Sequence, residues 1–467
     1  MKKIFDIQNL TQKLGNTFQF DVRALALFRI AFGFGMLLDL CIRLSDFKAF
    51  YTQDGVLPYN YLIQFFDKYL YVPIYQLNDS PWFVGVCFAL HLMAVFCFTI
   101  GYKTKLFQVI TLLFYISLHM RNPYLLQGGD DLLRCMLFFT LFIPLNATYA
   151  IQKKAVNTQF HIPILVLMFQ VMMVYWVSAL MKTSTEWHSD GTALYYAFNL
   201  DFIQWPLAKY LLNFPALLKV LTHVVFYLEL LVPLLFFIPF YNHRFRFVGI
   251  IILCLFQIGI ASTLFVGLFF LFNLIALIPF LPGFVFNYFK CTTVHLNDPL
   301  ITSPIKNKMV GFILLYVLIW NTTYIPQLKY GIAKKLKVFA YAFGINQNWG
   351  MFAPSVFKDD GWFIYEAITA KGDSLDLNNN YNKITYTKPD NILSTIKNDR
   401  WRKYNEYIIL ADRTWLRKPL KEYILKKHYA NKTYNHLQLK KFYLVYMMEL
   451  TPKPGDSAKI SHIYLTD

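Results

Sequence analysis

Charge is scarce in this chain. Asp, Glu, Lys and Arg make up 15% of its 467 residues, hydrophobic residues make up 56%, and the mean hydropathy is +0.38. A soluble domain needs about a quarter of its residues charged to cover its surface, so a water-soluble globular protein is excluded. Cysteine is sparse as well: there are six, at 41, 87, 97, 135, 254 and 291, all in or beside apolar stretches. That placement reads as free thiols and excludes a disulfide framework. The sequence has no HExxH, no CxxC and no close His/Asp cluster at ligand spacing, so no metal is expected. GxGxxG, Walker and GxSxG motifs are missing too. Without an internal repeat, a transporter built from inverted halves has no support.

What is present is long apolar runs. Stretches of roughly 20 mostly apolar residues predict spans near 24–43, 82–100, 106–122, 131–149, 163–182, 219–240, 246–263, 264–285 and 308–326. The first holds Arg29 and Asp39 and lacks a small-residue cleavage site, so it is not a cleavable signal. The expected fold is therefore an all-α polytopic membrane domain of about nine transmembrane helices over 1–328. A C-terminal extramembrane mixed α/β domain follows over 340–467. In it WFIYEAI and FYLVYMMEL read as strands, RTWLRKPLKEYILKKHYA as a helix started or kinked by Pro419, and 371–381 as turn. QWPLAKYLLNFPALL, in the loop 183–218, is expected to lie flat in the membrane interface.

Lys and Arg in short loops set the orientation. Lys2, Lys3, Lys103, Lys105, Lys153, Lys154, Arg244, Arg246, Lys290, Lys306 and Lys308 fall on one side, which places the N-terminus in the cytoplasm and the tail outside it. The basic cluster Lys334, Lys335 and Lys337 argues mildly the other way. A bacterial inner membrane is the expected location. From Lys329 onward 23 Lys and Arg face 13 Asp and Glu. With no nucleic-acid motif beside it, this excess reads as attraction to anionic membrane lipid, and no nucleic-acid partner is expected.

Ionisable side chains inside spans are costly and need a partner or a wet cavity. Lys182 ends an apolar run and is either a snorkelling anchor or a proton-abstracting base. Asp39, Arg134 and Lys182 all fall toward the same end of their helices, and one shared cavity is expected there. The alternatives are local: Asp39 can pair with Arg43 one turn on, and Asp130 or Asp131 can cap a helix start. Glu229 lies near mid-span and requires a cation if ionised; His223, six residues earlier, is on another face. His91 and His119 read as core residues.

Five segments in order over 21–362 resemble the HTTM superfamily, the membrane family that includes the vitamin K-dependent γ-glutamyl carboxylases. They are DVRALALFRIAFGFGMLLDLCIRLSDF with YTQDGVLP, RNPYLLQGGDDLLRCMLFFTLFIPL, VYWVSALMKTSTEWHSDGTAL, IGIASTLFVGLFFLF and NWGMFAPSVFKDDGW. Tyr175, Lys182 and Trp187 keep the family's spacing, so Lys182 resembles the lysine held to deprotonate reduced vitamin K. The resemblance implies a lyase-type carboxylase or epoxidase using reduced vitamin K or another quinol, with O2 and CO2, on a secreted peptide or a lipid. Gln257 stands where carboxylase-like members carry a histidine, and no tail cysteine is available for their disulfide. A rival reading is a non-catalytic accessory protein for maturation, export or anchoring of a secreted peptide, with Lys182 as an anchor.

Overall fold

The computed structural model describes residues 17–18, 20–65, 74–153, 162–291, 304–328, 331–453 and 456–466. Lys2, Lys3 and Lys154 of the orientation argument lie outside them. The N-terminal part is helical. Its main helices are α1 Val22–Leu44, α2 Pro81–Ile100, α3 Thr104–Arg121, α4 Gly128–Phe139, α5 Ile162–Met181, α6 Pro215–Leu231, α7 Asn242–Thr263, α8 Phe269–Leu277 and α9 Pro304–Thr322. Their ends follow local chemistry. Ser80 caps α2 ahead of Pro81, and Gly101, at φ 77°, closes it in the left-handed conformation that glycine adopts freely.

Among the described residues, five helices are long and apolar enough to cross a bilayer: Val22–Leu44, Pro81–Ile100, Ile162–Met181, Pro215–Phe237 and Asn242–Thr263. The expectation of nine is thus reduced. The run 131–149 yields only the part of the twelve-residue α4 from Asp131 to Phe139 and a 3₁₀ turn at Thr140–Phe142, and the run 264–285 yields the nine residues of α8 and a 3₁₀ turn at Ile278–Phe280. Apolar length alone does not separate a span from a short helix packed inside protein, and Pro144, Pro279 and Pro282 stop these runs early. α3 carries Lys105, Gln108, His119 and Arg121, which keep it below span hydropathy.

The C-terminal region carries α10 Lys334–Phe343 and a five-stranded antiparallel sheet in the order β3-β2-β1-β4-β5. The strands are β1 Asp359–Thr369, β2 Ser374–Asp376, β3 Asn382–Lys383, β4 Leu439–Leu450 and β5 Lys459–Tyr464, with α11 Asp399–Ile408 and α12 Arg417–Ala430 between β3 and β4. Both expected strands are present as β1 and β4, paired with Trp362 opposite Met447. The stretch read as pure turn holds β2, and Pro419 sits in the first turn of α12, where a missing N–H costs nothing. The presumed flat interfacial segment is split. Pro206–Leu211 is a short helix, and Pro215 already starts α6.

The sheet region is docked on one end of the bundle, here the tail side. Aromatic contacts carry the seam: Phe50 against Trp401 at 4.6 Å, Phe65 stacked on Trp415 at 4.4 Å, and Tyr124 against Tyr407 at 5.0 Å. The WGMFAP stretch packs the tail onto the bundle side, its Phe352 and Pro354 carbonyls accepting from Trp187 Nε1–H at 3.0 Å and the Ser184 N–H at 3.2 Å, and Gln347 just before it is bonded to Gln170 of α5 at 2.7 Å. Within the bundle, α1 and α2 touch at Gly33, where an added Cβ would lie 2.0 Å from Thr99 Oγ1. Gly33→Leu is therefore expected to lower stability by about 1–3 kcal/mol, read as a fall in melting temperature in detergent, whereas Gly85→Leu, with nothing within 4 Å, leaves it unchanged.

Candidate functional site

Two groups of charged side chains sit at the tail side of the bundle. The first starts from Asp39 and Arg43, one turn apart on α1 and bonded at 2.8 Å. Arg43 also reaches Asp130 of α4, Tyr51 at 2.9 Å and His119 at 3.2 Å. Asp130 caps its own helix, accepting the Gln127 N–H at 2.9 Å, so capping and ion pairing coexist as the sequence allowed. Arg134 bonds Asp131 at 2.5 Å and His119 Nδ1 at 2.7 Å.

The remaining member comes from the other region. Arg400, in the first turn of α11, lies between Asp39 at 2.6 Å and Asp130 at 2.6 and 3.0 Å, and donates to the Leu125 carbonyl at 2.9 Å. Its place is set by Asn398, which caps α11 through the Arg400 and Trp401 N–H groups and donates to Asp46 of the membrane part at 2.8 Å. Three arginines thus face three aspartates in a pocket where Asp39 and Arg43 are 0% and 1% exposed. Asp39, His119 and Asp130 are close enough to hold a metal ion, but Arg43 and Arg400 donate to both carboxylates and balance their charge.

The second group surrounds Lys182, 3% exposed just past the end of α5. Its ammonium pairs with the Glu229 carboxylate of α6, contacts Ser178 Oγ at 3.2 Å and lies 4.5 Å above the Trp187 ring. Trp187 is fixed by its Nε1–H to the Phe352 carbonyl at 3.0 Å. Gln257 bonds the Tyr175 hydroxyl at 3.3 Å, one side of the same assembly.

A cavity of about 1620 Å³ runs between the two regions and is lined by Lys182, Glu229, Trp187 and Asp131 from the bundle and by Trp362 and Tyr365 from the sheet. The expected convergence of Asp39, Arg134 and Lys182 on one cavity is corrected. Lys182 lines it, whereas Asp39 and Arg134 belong to the ion cluster, because Arg400 enters between the helices and draws the carboxylates to itself. His223 stands apart, against the backbone carbonyls of Lys219 at 2.8 Å and His188 at 2.7 Å. Arg29 is a structural residue, donating to the carbonyls of Thr99 at 3.2 Å and Leu145 at 3.0 Å. His91 is packed among Tyr75, Phe114 and Tyr115, a core residue as expected. His119 is buried as well, at 2% exposure, and there it wedges between Arg43 and Arg134.

Residues 24–287, more than half of the chain, match the lipase maturation factor transmembrane domain. The chain belongs to that family. No curated protein and no solved structure matches it. As a member of the lipase maturation factor family, it is an integral membrane protein, and the matched segment takes in the five span-length helices described above, the first from its third residue on, and both members of the Lys182–Glu229 pair. Arg400 lies beyond the matched residues, and sequence reasoning missed it. Its carboxylate partners are 361 and 270 positions away, and no local pattern links them.

A smaller junction joins the loop after Phe198 to the sheet. Lys388 bonds Asp201 and Glu449, each at 2.5 Å, and the Asp201 N–H donates to Asp360 at 2.5 Å. Burial, reinforced by the neighbouring Asp201 and Glu449 charges, pushes the Asp360 carboxyl up to about 8. A raised folded value means that the folded state holds this proton more tightly. The stability it contributes is full below the ordinary value of 3.8 and is lost as pH rises to about 8. Thermal melts over that range should show wild type losing stability with rising pH and Asp360→Asn showing a flatter profile.

Removing Arg400 leaves Asp39 and Asp130 short of positive charge in a buried site. Arg400→Ala is expected to destabilise the docked state by about 3–5 kcal/mol. The loss should appear as protease cleavage within 331–358, the connection between bundle and sheet. Double replacement Arg400→Met/Asp39→Asn should recover part of the loss.

Proposed function

We propose that this chain is a non-catalytic membrane accessory factor for the maturation of a secreted protein, with a lipase as the client class that its family description names. The bundle anchors the factor, and the docked sheet region presents a fixed surface to the client on the extracytoplasmic side. Lys103 and Lys153 in the connections away from the tail, with Lys105 and Arg244 in the first turns of α3 and α7, support that orientation.

The observation that carries this reading is the pairing of Lys182 with Glu229. Both partners are buried, and the Lys182 nitrogen is taken up by Glu229 and Ser178 of the protein itself. Lys182 therefore holds α5 to α6. The Arg400 cluster has the same character: its charges are matched to one another and lock two regions together.

A second reading retains the carboxylase-like chemistry. Lys182 lines a shielded cavity beside Trp187 and within reach of Ser178, as a base toward a bound quinol would require. The donor set as arranged does not fit that role, because Glu229 holds the ammonium. We accordingly derive no quinol step.

The two readings separate in a paired assay. Membranes containing the wild-type chain should raise the yield of active co-expressed secreted lipase, and Lys182→Met/Glu229→Gln should support the same yield, because removing both partners of a buried pair leaves no orphan charge. Purified wild type should not epoxidise added quinols. Quinol epoxidation abolished by the double replacement would establish the enzyme instead.

A further inference from the structure

α6 leads through the 3₁₀ turn Val232–Phe237 into α7; that turn packs closely on α7, and the two helices part toward the other end. At the end away from the tail the joint is tight. Asn242 donates to the carbonyls of Phe236 and Ile238, both at 2.9 Å, and a Cβ on Gly249 would stand 2.7 Å from the Phe236 ring. Ten residues further along the same helix, a Cβ on Gly259 would meet nothing within 4 Å. There Leu221 and Val225 of α6 and Phe256 and Ile260 of α7 face the large cavity. Each helix is held by a different neighbour: α6 to α5 by the Lys182–Glu229 pair and by Trp176 Nε1–H to the Leu230 carbonyl at 3.0 Å, α7 to the loop after Phe198 by the Trp205 N–H to the Thr263 carbonyl at 3.0 Å.

The outward side of this seam is also hollow. A shallow groove of about 550 Å³ is lined by Val220, His223, Val224, Tyr227, Leu228 and Leu231 of α6, by Val232 and by Ile252 of α7. Only 22% and 28% of the apolar stretches of these two helices are buried, against 78% for α5, so they are the spans that lipid surrounds. Groove and cavity therefore flank the same seam, one on the bilayer side and one inside.

We propose that the seam between α6 and α7 admits the acyl chain of a membrane lipid into the cavity. The walls decide between an acyl chain and a peptide. At membrane depth a peptide must have its backbone N–H and C=O groups satisfied. Leu221, Val225, Phe256, Gly259 and Ile260 carry no side-chain hydrogen-bonding group, and an acyl chain requires none. Gly259, about 6 Å below the end of α7, supplies the clearance. At about 1620 Å³ the cavity exceeds the roughly 300–1,000 Å³ of small-ligand pockets, which leaves room for a long chain. The inference does not depend on the accessory role.

The test uses the full chain in vesicles of phosphatidylcholine carrying a photoactivatable diazirine in one acyl chain, with labelled residues mapped by mass spectrometry. Wild type should be labelled at the inward positions Leu221, Val225, Phe256 and Ile260. Gly259→Trp fills open space, so it should fold as wild type and lower inward labelling by roughly tenfold, the loss of about two buried methylenes. Gly311→Trp, on an exposed face of α9, should leave it unchanged. Label confined to the outward Leu255 and Ile258 would be ordinary surrounding lipid and would overturn the proposal, whatever the variants do. So would native mass spectrometry of wild type showing a bound apolar peptide and no lipid.

Discussion

An ion buried away from water must be matched by opposite charge and hydrogen bonds, or the structure that buries it fails. Arg400 meets that demand for Asp39 and Asp130, and the relation between the two parts of the molecule follows from it. Asp39 and Asp130 stand on different helices, and Arg43 alone cannot balance both. The third charge arrives from α11, and bringing it there requires the sheet region to sit on the tail side of the bundle. The aromatic contacts of Phe50, Phe65 and Tyr124 then seal the seam around it.

The same rule shapes the neighbourhood of Lys182. Its side chain lies over the Trp187 ring and against the Glu229 carboxylate, so the buried charge meets an opposite one. This arrangement ties α5 to α6. Leu221, Val225 and Glu229, four residues apart in turn, put the ion pair and the cavity-facing residues on one stripe of α6. The tightly packed joint at Gly249 confines the opening to one end.

Much of this was legible in the chain. Scarce charge and long apolar runs revealed a membrane protein, and the positions of Asp39, Asp130, Asp131, Lys182 and Glu229 marked groups that had to find partners. The Asp39–Arg43 pair and the capping role of Asp130 are one-turn relations that spacing displays directly. β1 and β4 were readable from their apolar, aromatic character. The number of spans was not, because an apolar run looks alike whether lipid or protein surrounds it, and α4 and α8 are short helices inside such runs.

The sequence by itself determined that the chain enters a membrane, that it ends in a polar region with strands, and which of its charges needed a counterpart. Only the tertiary structure decided which counterpart each received: Arg400 for Asp39 and Asp130, Glu229 for Lys182. The physical reason is range. Helix and strand periodicity act over a few residues, whereas charge balance in a buried site is settled by whichever groups the folded chain brings within about 3 Å, however far apart they lie in sequence.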